Sequence, residues 1–270
     1  MKKAMNSGLA AVVMQMLVFA PVWKWYYARM KDGSDEPWGL LALATYLFIV
    51  FTSRTETDGQ RGALVIPAIV TLMYAASFPF VPKLIQAMLA VTAVGCTIAC
   101  QRFGTALHVS SGGLLLLSLP VISALQFYAG YPMRVLSGLV SVFLLRMSGF
   151  AVELDGVCLR WGTELIAIDA PCSGVKMLWA GLYLTLTLAC WLRAGNVRTV
   201  AALFAALTAV ILANGVRASA LFSLEVSLAP VDQWVHGVVG LPAFAGTAIF
   251  IVWFMHRFGG AAKCADTASS

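Results

Sequence analysis

Nine apolar runs, parted by connections that hold nearly all the charge, constrain this chain more than any motif in it. They lie at about 5–23, 38–53, 63–81, 84–100, 112–129, 135–150, 175–192, 199–224 and 235–254. The second and sixth are short, and Pro67 interrupts the third. A helix needs about 20 mostly apolar residues to cross a hydrocarbon core. Backbone inside lipid must satisfy its own hydrogen bonds, which leaves helices or closed barrels. Barrel-type alternation is missing over most of the chain. Composition agrees, since only 11% of residues are charged against about 25% in an average soluble domain. That excludes a soluble enzyme, a disordered chain and a DNA-binding domain, and no nucleic-acid partner is expected. The expected fold is an all-α polytopic membrane protein of eight or nine transmembrane helices, eight if one short run is re-entrant. Residues 1–111 would supply N-terminal spans, 112–256 a catalytic membrane core, and 257–270 a frayed cytoplasmic tail. The first run reads as a span and not a cleaved signal, because Ala20-Pro21-Val22-Trp23-Lys24 follows it without a clean small-residue cleavage site.

The eighteen Lys and Arg residues set an orientation. With connections 24–37, 82–83, 130–134 and 193–198 and the C-terminus in the cytoplasm, nine basic residues lie inside: Lys24, Arg29, Lys31, Lys83, Arg134, Arg193, Arg198, Arg257 and Lys263. Six lie outside, namely Lys2, Lys3, Arg54, Arg61, Arg102 and Arg160, and Arg146, Lys176 and Arg217 fall within or at the ends of spans. The bias is clearest in the last third, where Arg193/Arg198 and Arg257/Lys263 oppose loops carrying Asp169, Glu225 and Asp232. Connections 151–174 and 225–234 are therefore expected outside. Between Val152 and Gly162 the sequence alternates around Asp155-Gly156, a hairpin signal, and Glu164–Asp169 reads as a third short strand.

Three features of this last third could carry chemistry. Ala170-Pro171-Cys172-Ser173-Gly174-Val175-Lys176 precedes an apolar helix, so Cys172 meets unpaired amide groups and the positive end of the helix dipole. Such a place raises the thiolate fraction, and Lys176 one turn on would add to it. Ser173 offers a hydroxyl, and Gly174 lets backbone approach closely. The bland alternative is a small buried cysteine beside a helix cap. Asn214 and Arg217 share a helix face deep in an apolar run. A charge there is a functional candidate by default, the alternative being an arginine that snorkels to the interface. His236 stands at the start of the last run with Asp232 one turn before it, and could carry a proton or simply be solvated. No cluster with metal-ligand spacing occurs, so neither metal nor cofactor is expected. The remaining cysteines read as apolar filler (Cys96, Cys100, Cys190), a packed strand residue (Cys158) and a tail residue (Cys264).

Topology brings Cys172, Arg217 and His236 to one membrane side from three segments. A cysteine nucleophile, a histidine proton carrier and a fixed cation describe acyl transfer. Their order on the chain, Pro171-Cys172-Ser173-Gly174, then Asn214-x-x-Arg217, then His236-Gly237, resembles the exosortase/archaeosortase family. Leu145-Arg146-Met147-Ser148-Gly149 fits it too, and the likeness covers about residues 112–255. The resemblance implies a membrane transpeptidase-like hydrolase of the bacterial inner membrane, active on its periplasmic face. Its substrates would be exported proteins ending in a short motif (often Pro-Glu-Pro), a transmembrane helix and a basic end. It further implies Cys172 as nucleophile, Arg217 as catalytic or substrate-orienting cation, His236 as general acid/base and Asn214 in support of Arg217. Val175-Lys176-Met177 stands where the family leads one to expect a bulky branched residue and often arginine, which leaves the subtype open. Three rivals stay in view: a transporter or scaffold, another membrane acyltransferase, and a thiol oxidoreductase using Cys158.

Overall fold

The computed structural model describes residues 2–31, 37–53, 65–168, 172–228 and 232–259. Six helices come first: α1 (Lys2–Val18), α2 (Ala20–Lys31), α3 (Trp38–Thr52), α4 (Val65–Ser77), α5 (Lys83–Arg102) and α6 (Val109–Leu117). Then follow α7 (Ile122–Met147), the strands β1 (Val152–Asp155), β2 (Cys158–Trp161) and β3 (Glu164–Ala167), and α8 (Val175–Trp191), α9 (Asn196–Leu228) and α10 (Gln233–Gly259). Among the described residues four helices are long and apolar enough to cross a membrane: Lys83–Arg102, Ile122–Met147, Asn196–Ser227 and Trp234–Phe258. Trp38–Thr52, Val65–Ser77 and Val175–Trp191 are shorter apolar helices. This is a polytopic, largely helical membrane protein with one small sheet.

The apolar runs map onto these helices with two corrections. The first run, 5–23, divides at Phe19 between α1 and α2, and α2 takes in residues 24–31 of the expected connection. Runs 112–129 and 135–150 are not two spans, because α6 ends at Leu117 and α7 continues unbroken through 130–134. Gly130, Pro132 and Arg134 read as a connection in sequence, since proline and glycine punctuate helices in water. In a membrane span the freed carbonyl can be re-satisfied locally and the helix persists. Arg134 keeps its place by donating from Nε to the Gly130 carbonyl (3.3 Å) and from Nη1 to the Ile168 carbonyl (3.5 Å). It therefore leaves the tally of cytoplasmic basic residues. Two smaller differences concern proline and loop length. Pro67 lies in the first turn of α4, where a missing N–H costs nothing. The connection expected at 225–234 shrinks, since α9 runs to Leu228 and α10 begins at Gln233. Of the tail, 257–259 belong to α10 and 260–270 lie outside the described residues.

The chain forms two compact units, Met1–Val121 with Ala189–Thr199, and Ile122–Leu188 with Val200–Ser270. In the first, Asn196 clamps the turn before α6: its Oδ1 accepts from Val109 N (3.0 Å) and its Nδ2 donates to the Leu107 carbonyl (2.9 Å). His108, at the start of α6, stacks on Phe103 at 4.3 Å, and burial pushes its imidazole below the ordinary value.

The second unit is organised by close approach of α7 and α9. Ser137 and Ser141 are fully buried, Asn214 Nδ2 donates to Ser137 Oγ (3.0 Å), and the Ser141 and Ser219 hydroxyls meet at 3.0 Å. The pairs advance together, so the two helices run parallel. Gly215 permits the approach, since a Cβ there would stand 2.5 Å from Val140 Cβ and 3.0 Å from the Ser137 carbonyl oxygen. Gly215→Ala should therefore lower stability by about 1–3 kcal/mol, read as an earlier thermal transition in detergent. Gly246→Ala, where a Cβ meets nothing within 4 Å, is the control and should leave the transition in place.

The sheet, ordered β1-β2-β3, is a pair of antiparallel hairpins joined by two-residue turns. Each turn opens on a glycine with positive φ, Gly156 at 62° and Gly162 at 60°, which matches the twist of the flanking strands. Asp155 is thus the last strand residue and not part of the turn proper. Val152 and Leu159 are buried against α7 and α9 in a cluster with Leu145, Cys172 and Phe222. Gly138 of α7 makes room for the sheet side, where a Cβ would stand 2.7 Å from Leu154 Cδ1.

Candidate active site

Cys172 follows the sheet and precedes α8 by two residues; Asp169, Ala170 and Pro171 lie outside the described residues. The Gly174 carbonyl accepts the first helical bond of α8, from Leu178 N at 2.8 Å. Ser173 Oγ accepts from Val175 N (3.4 Å) and donates to Gln126 Oε1 of α7 (2.9 Å). Gly174 has φ +82°, and a Cβ there would press on Asn214 Cγ at 3.0 Å. Only glycine takes that conformation at no steric cost, and only glycine leaves Asn214 its place. From α9, Asn214 Nδ2 donates to the Cys172 carbonyl at 3.0 Å while also holding Ser137. The loop is thus tied to α7 at Ser173 and to α9 at Cys172.

Three side chains expected from the sequence converge on this loop. Cys172 is buried, with 8% of its surface exposed. Its Sγ lies 3.6 Å from His236 Nδ1 in the first turn of α10. Arg217 Nη2 lies 3.5 Å from the same sulfur and donates to the His236 carbonyl at 3.1 Å. One guanidinium nitrogen therefore bridges the thiol and the backbone that carries the histidine. Gly240, one turn beyond His236, leaves room for it, since a Cβ there would lie 3.3 Å from Arg217 Nε. Arg217 Nε and Asn214 Oδ1 are buried without a hydrogen-bond partner among the described residues.

The supporting residues divide. Asn214 and Arg217 share a face, as their spacing implies, but Asn214 bonds to the Cys172 carbonyl. Asp232 is exposed, and its carboxylate accepts from Trp234 Nε1 at 3.2 Å. Among the described residues no hydrogen bond joins it to His236. Its carbonyl accepts from Val235 N (3.0 Å), so it acts at the start of α10. Lys176 is exposed on the first turn of α8. Cys96, Cys100, Cys158, Cys172 and Cys190 are all free thiols.

Three residues escaped the sequence reading. Ser137 and Gln126 carry no signal alone, although Ser137 and Ser141 at i, i+4 mark a small polar face on α7. Arg134 was visible as a charge but was hidden by the proline beside it.

A buried thiol, an imidazole nitrogen and a guanidinium within 3.6 Å of its sulfur can perform covalent acyl transfer. No curated protein and no solved structure matches the chain. A protein-family model described as transmembrane exosortase matches residues 7–254, which holds both units and every residue of the cluster. By that match, nearly from end to end, the chain belongs to the transmembrane exosortase family.

Proposed function

We propose that this membrane protein-sorting enzyme is a cysteine peptidase or transpeptidase that removes the C-terminal signal of exported proteins through a thioacyl intermediate. The observation that carries the reading is the convergence of His236 Nδ1 and Arg217 Nη2 on Cys172 Sγ, from α10 and α9, at 3.6 and 3.5 Å. His236 takes the thiol proton, and the thiolate attacks the carbonyl carbon of the scissile peptide. Arg217 neutralises the developing negative charge, with Nε still free to donate. As the C–N bond breaks, His236 returns the proton to the leaving amine, which departs with the signal's membrane helix. Water or an amine then attacks the thioester, gives its proton to His236, and releases the product as Cys172 recovers its hydrogen.

The substrate class fits the family: a short motif, a membrane helix and a basic end. We place the site on the periplasmic side of a bacterial inner membrane. Support comes from Arg257 lying at one end of α10, and Asp232 and Glu225 toward the opposite ends of α10 and α9. The test is chemical. Hydroxylamine added during turnover should release the processed substrate as a hydroxamate, and intact-mass analysis should find the acyl group on Cys172 beforehand. An acyl group on any other residue, or none together with full processing, would sink the thioacyl mechanism.

A further inference from the structure

Resting on that reading, we infer that the bond is cut inside the membrane's thickness, so that the peptide taken is an unwound stretch at the end of a membrane-inserted helix. Two helices, joined by Asn214 at the level of the cysteine loop, measure the depth. On α7, nine positions separate Ser137, at the level of the cysteine loop, from Arg146, about 13 Å of helix rise. On α9, eleven positions separate Asn214, which holds the Cys172 carbonyl, from Glu225, about 16 Å. Arg146 and Glu225 stand at one level by the pairing of Ser141 with Ser219, so they mark one charged belt on the sheet side. In the other direction the next charge on α9 after Arg217 is Arg198, sixteen positions below Asn214, or about 24 Å. The two belts lie about 40 Å apart, the thickness of a bilayer with its headgroups. The thiol falls well within that interval.

The outward surface says the same. Leu136, Leu139 and Phe143 of α7, which flank and overlie the level of Ser137, are 44%, 54% and 65% exposed. On α10, Val238 and Leu241, just past His236, are 53% and 67% exposed. A thiol at the water surface would leave these side chains in water; at this depth they face lipid, while exposed Lys176 and Asp232 mark the side on which water reaches the loop. Non-helical backbone is tolerated so deep only where protein covers it or water fills a cavity. The loop through Ile168 and Cys172–Gly174 meets that condition through Asn214, Gln126 and a second intramembrane cation, Arg134. The peptide bonds of a closed helix have their carbonyls engaged and their carbons shielded. The substrate must therefore arrive extended, and a helix-breaking residue beside its apolar segment serves that need.

Depth can be read without turnover. The full chain with its other five cysteines replaced by serine is labelled at Cys172 with a small fluorophore. It is placed in phosphatidylcholine vesicles carrying a nitroxide on the headgroup or on the acyl chain. Comparing the two lipids cancels the label's lateral distance from the bilayer. Acyl-chain nitroxide should quench the Cys172 label more than headgroup nitroxide does, with the order reversed for a label at Val157→Cys in the sheet turn. Headgroup quenching as dominant at Cys172 as at Val157→Cys overturns the inference. A second arm needs no label: a model substrate with Pro-Glu-Pro, a transmembrane helix and a basic end is given polar spacers between motif and helix. Cutting should be lost as the spacer grows, and undiminished cutting overturns the inference equally. A thiol found deep in a chain that cuts nothing would instead count against the peptidase reading alone.

Discussion

Replacing Cys172 with serine should leave the chain folded and its substrate uncut. The change is nearly isosteric and the site is tight, so the loop keeps its bonds from Asn214 Nδ2 to the Cys172 carbonyl and from Ser173 to Gln126. Neither bond involves the sulfur. What is lost is the nucleophile: a serine hydroxyl at that place has no strong base, since His236 beside it has no carboxylate among the described residues to assist it, Asp232 being turned to Trp234, and Arg217 can only donate. Nucleophile removal in a concerted site costs on the order of 10⁶-fold in turnover. The measurement is intact-mass analysis of a co-expressed substrate, with the full-length form expected to accumulate in the Cys172→Ser background. An unchanged melting transition separates this from misfolding. A variant that still processes substrate would return the protein to the transporter or scaffold class, where Cys172 merely packs.

The cluster was legible in sequence because each member breaks a local rule. Arg217 is a charge within an apolar run, Cys172 precedes a helix where anions are favoured, and His236 opens the last span. Those are departures from what packing alone requires, and such departures concentrate at sites of function. The supports were not legible, because they break nothing. Ser137 and Gln126 are ordinary residues for a helix, and their meaning comes from partners 77 and 47 positions away. Arg134 failed for another reason. Proline two positions from a charge reads as a loop in water and so as a division between spans. Lipid changes the rule, as the bilayer core offers no alternative partners for the backbone and holds the helix together across Pro132. The strands were readable from alternation and glycine spacing, yet their purpose was not. They carry the chain from the end of α7 back down to Ile168, whose carbonyl accepts from Arg134 well below that end.

Arg217 gives the second large effect, and its two bonds decide which substitution is informative. A glutamine there removes the charge beside Cys172 Sγ and the donor to the His236 carbonyl together. Loss of one such stabilising donor costs about 10²–10³-fold in kcat. A merely structural arginine would also lower activity if α10 shifted, so Arg217→Gln alone does not separate the roles. Arg217→Lys does. Lysine restores a positive charge on a single ammonium, which can approach the sulfur or the His236 carbonyl but lacks the planar fork and the buried Nε donor. If Arg217 stabilises developing charge, the lysine chain should recover kcat only in part while KM stays near that of the parent. If Arg217 serves only to tether α10, lysine donating to the same carbonyl should restore kcat and KM alike. The assay is initial-rate kinetics in vesicles on a model substrate with the motif, helix and basic end. A lysine variant indistinguishable from the parent in both constants would remove Arg217 from the chemistry and leave Cys172 with His236 as an isolated pair.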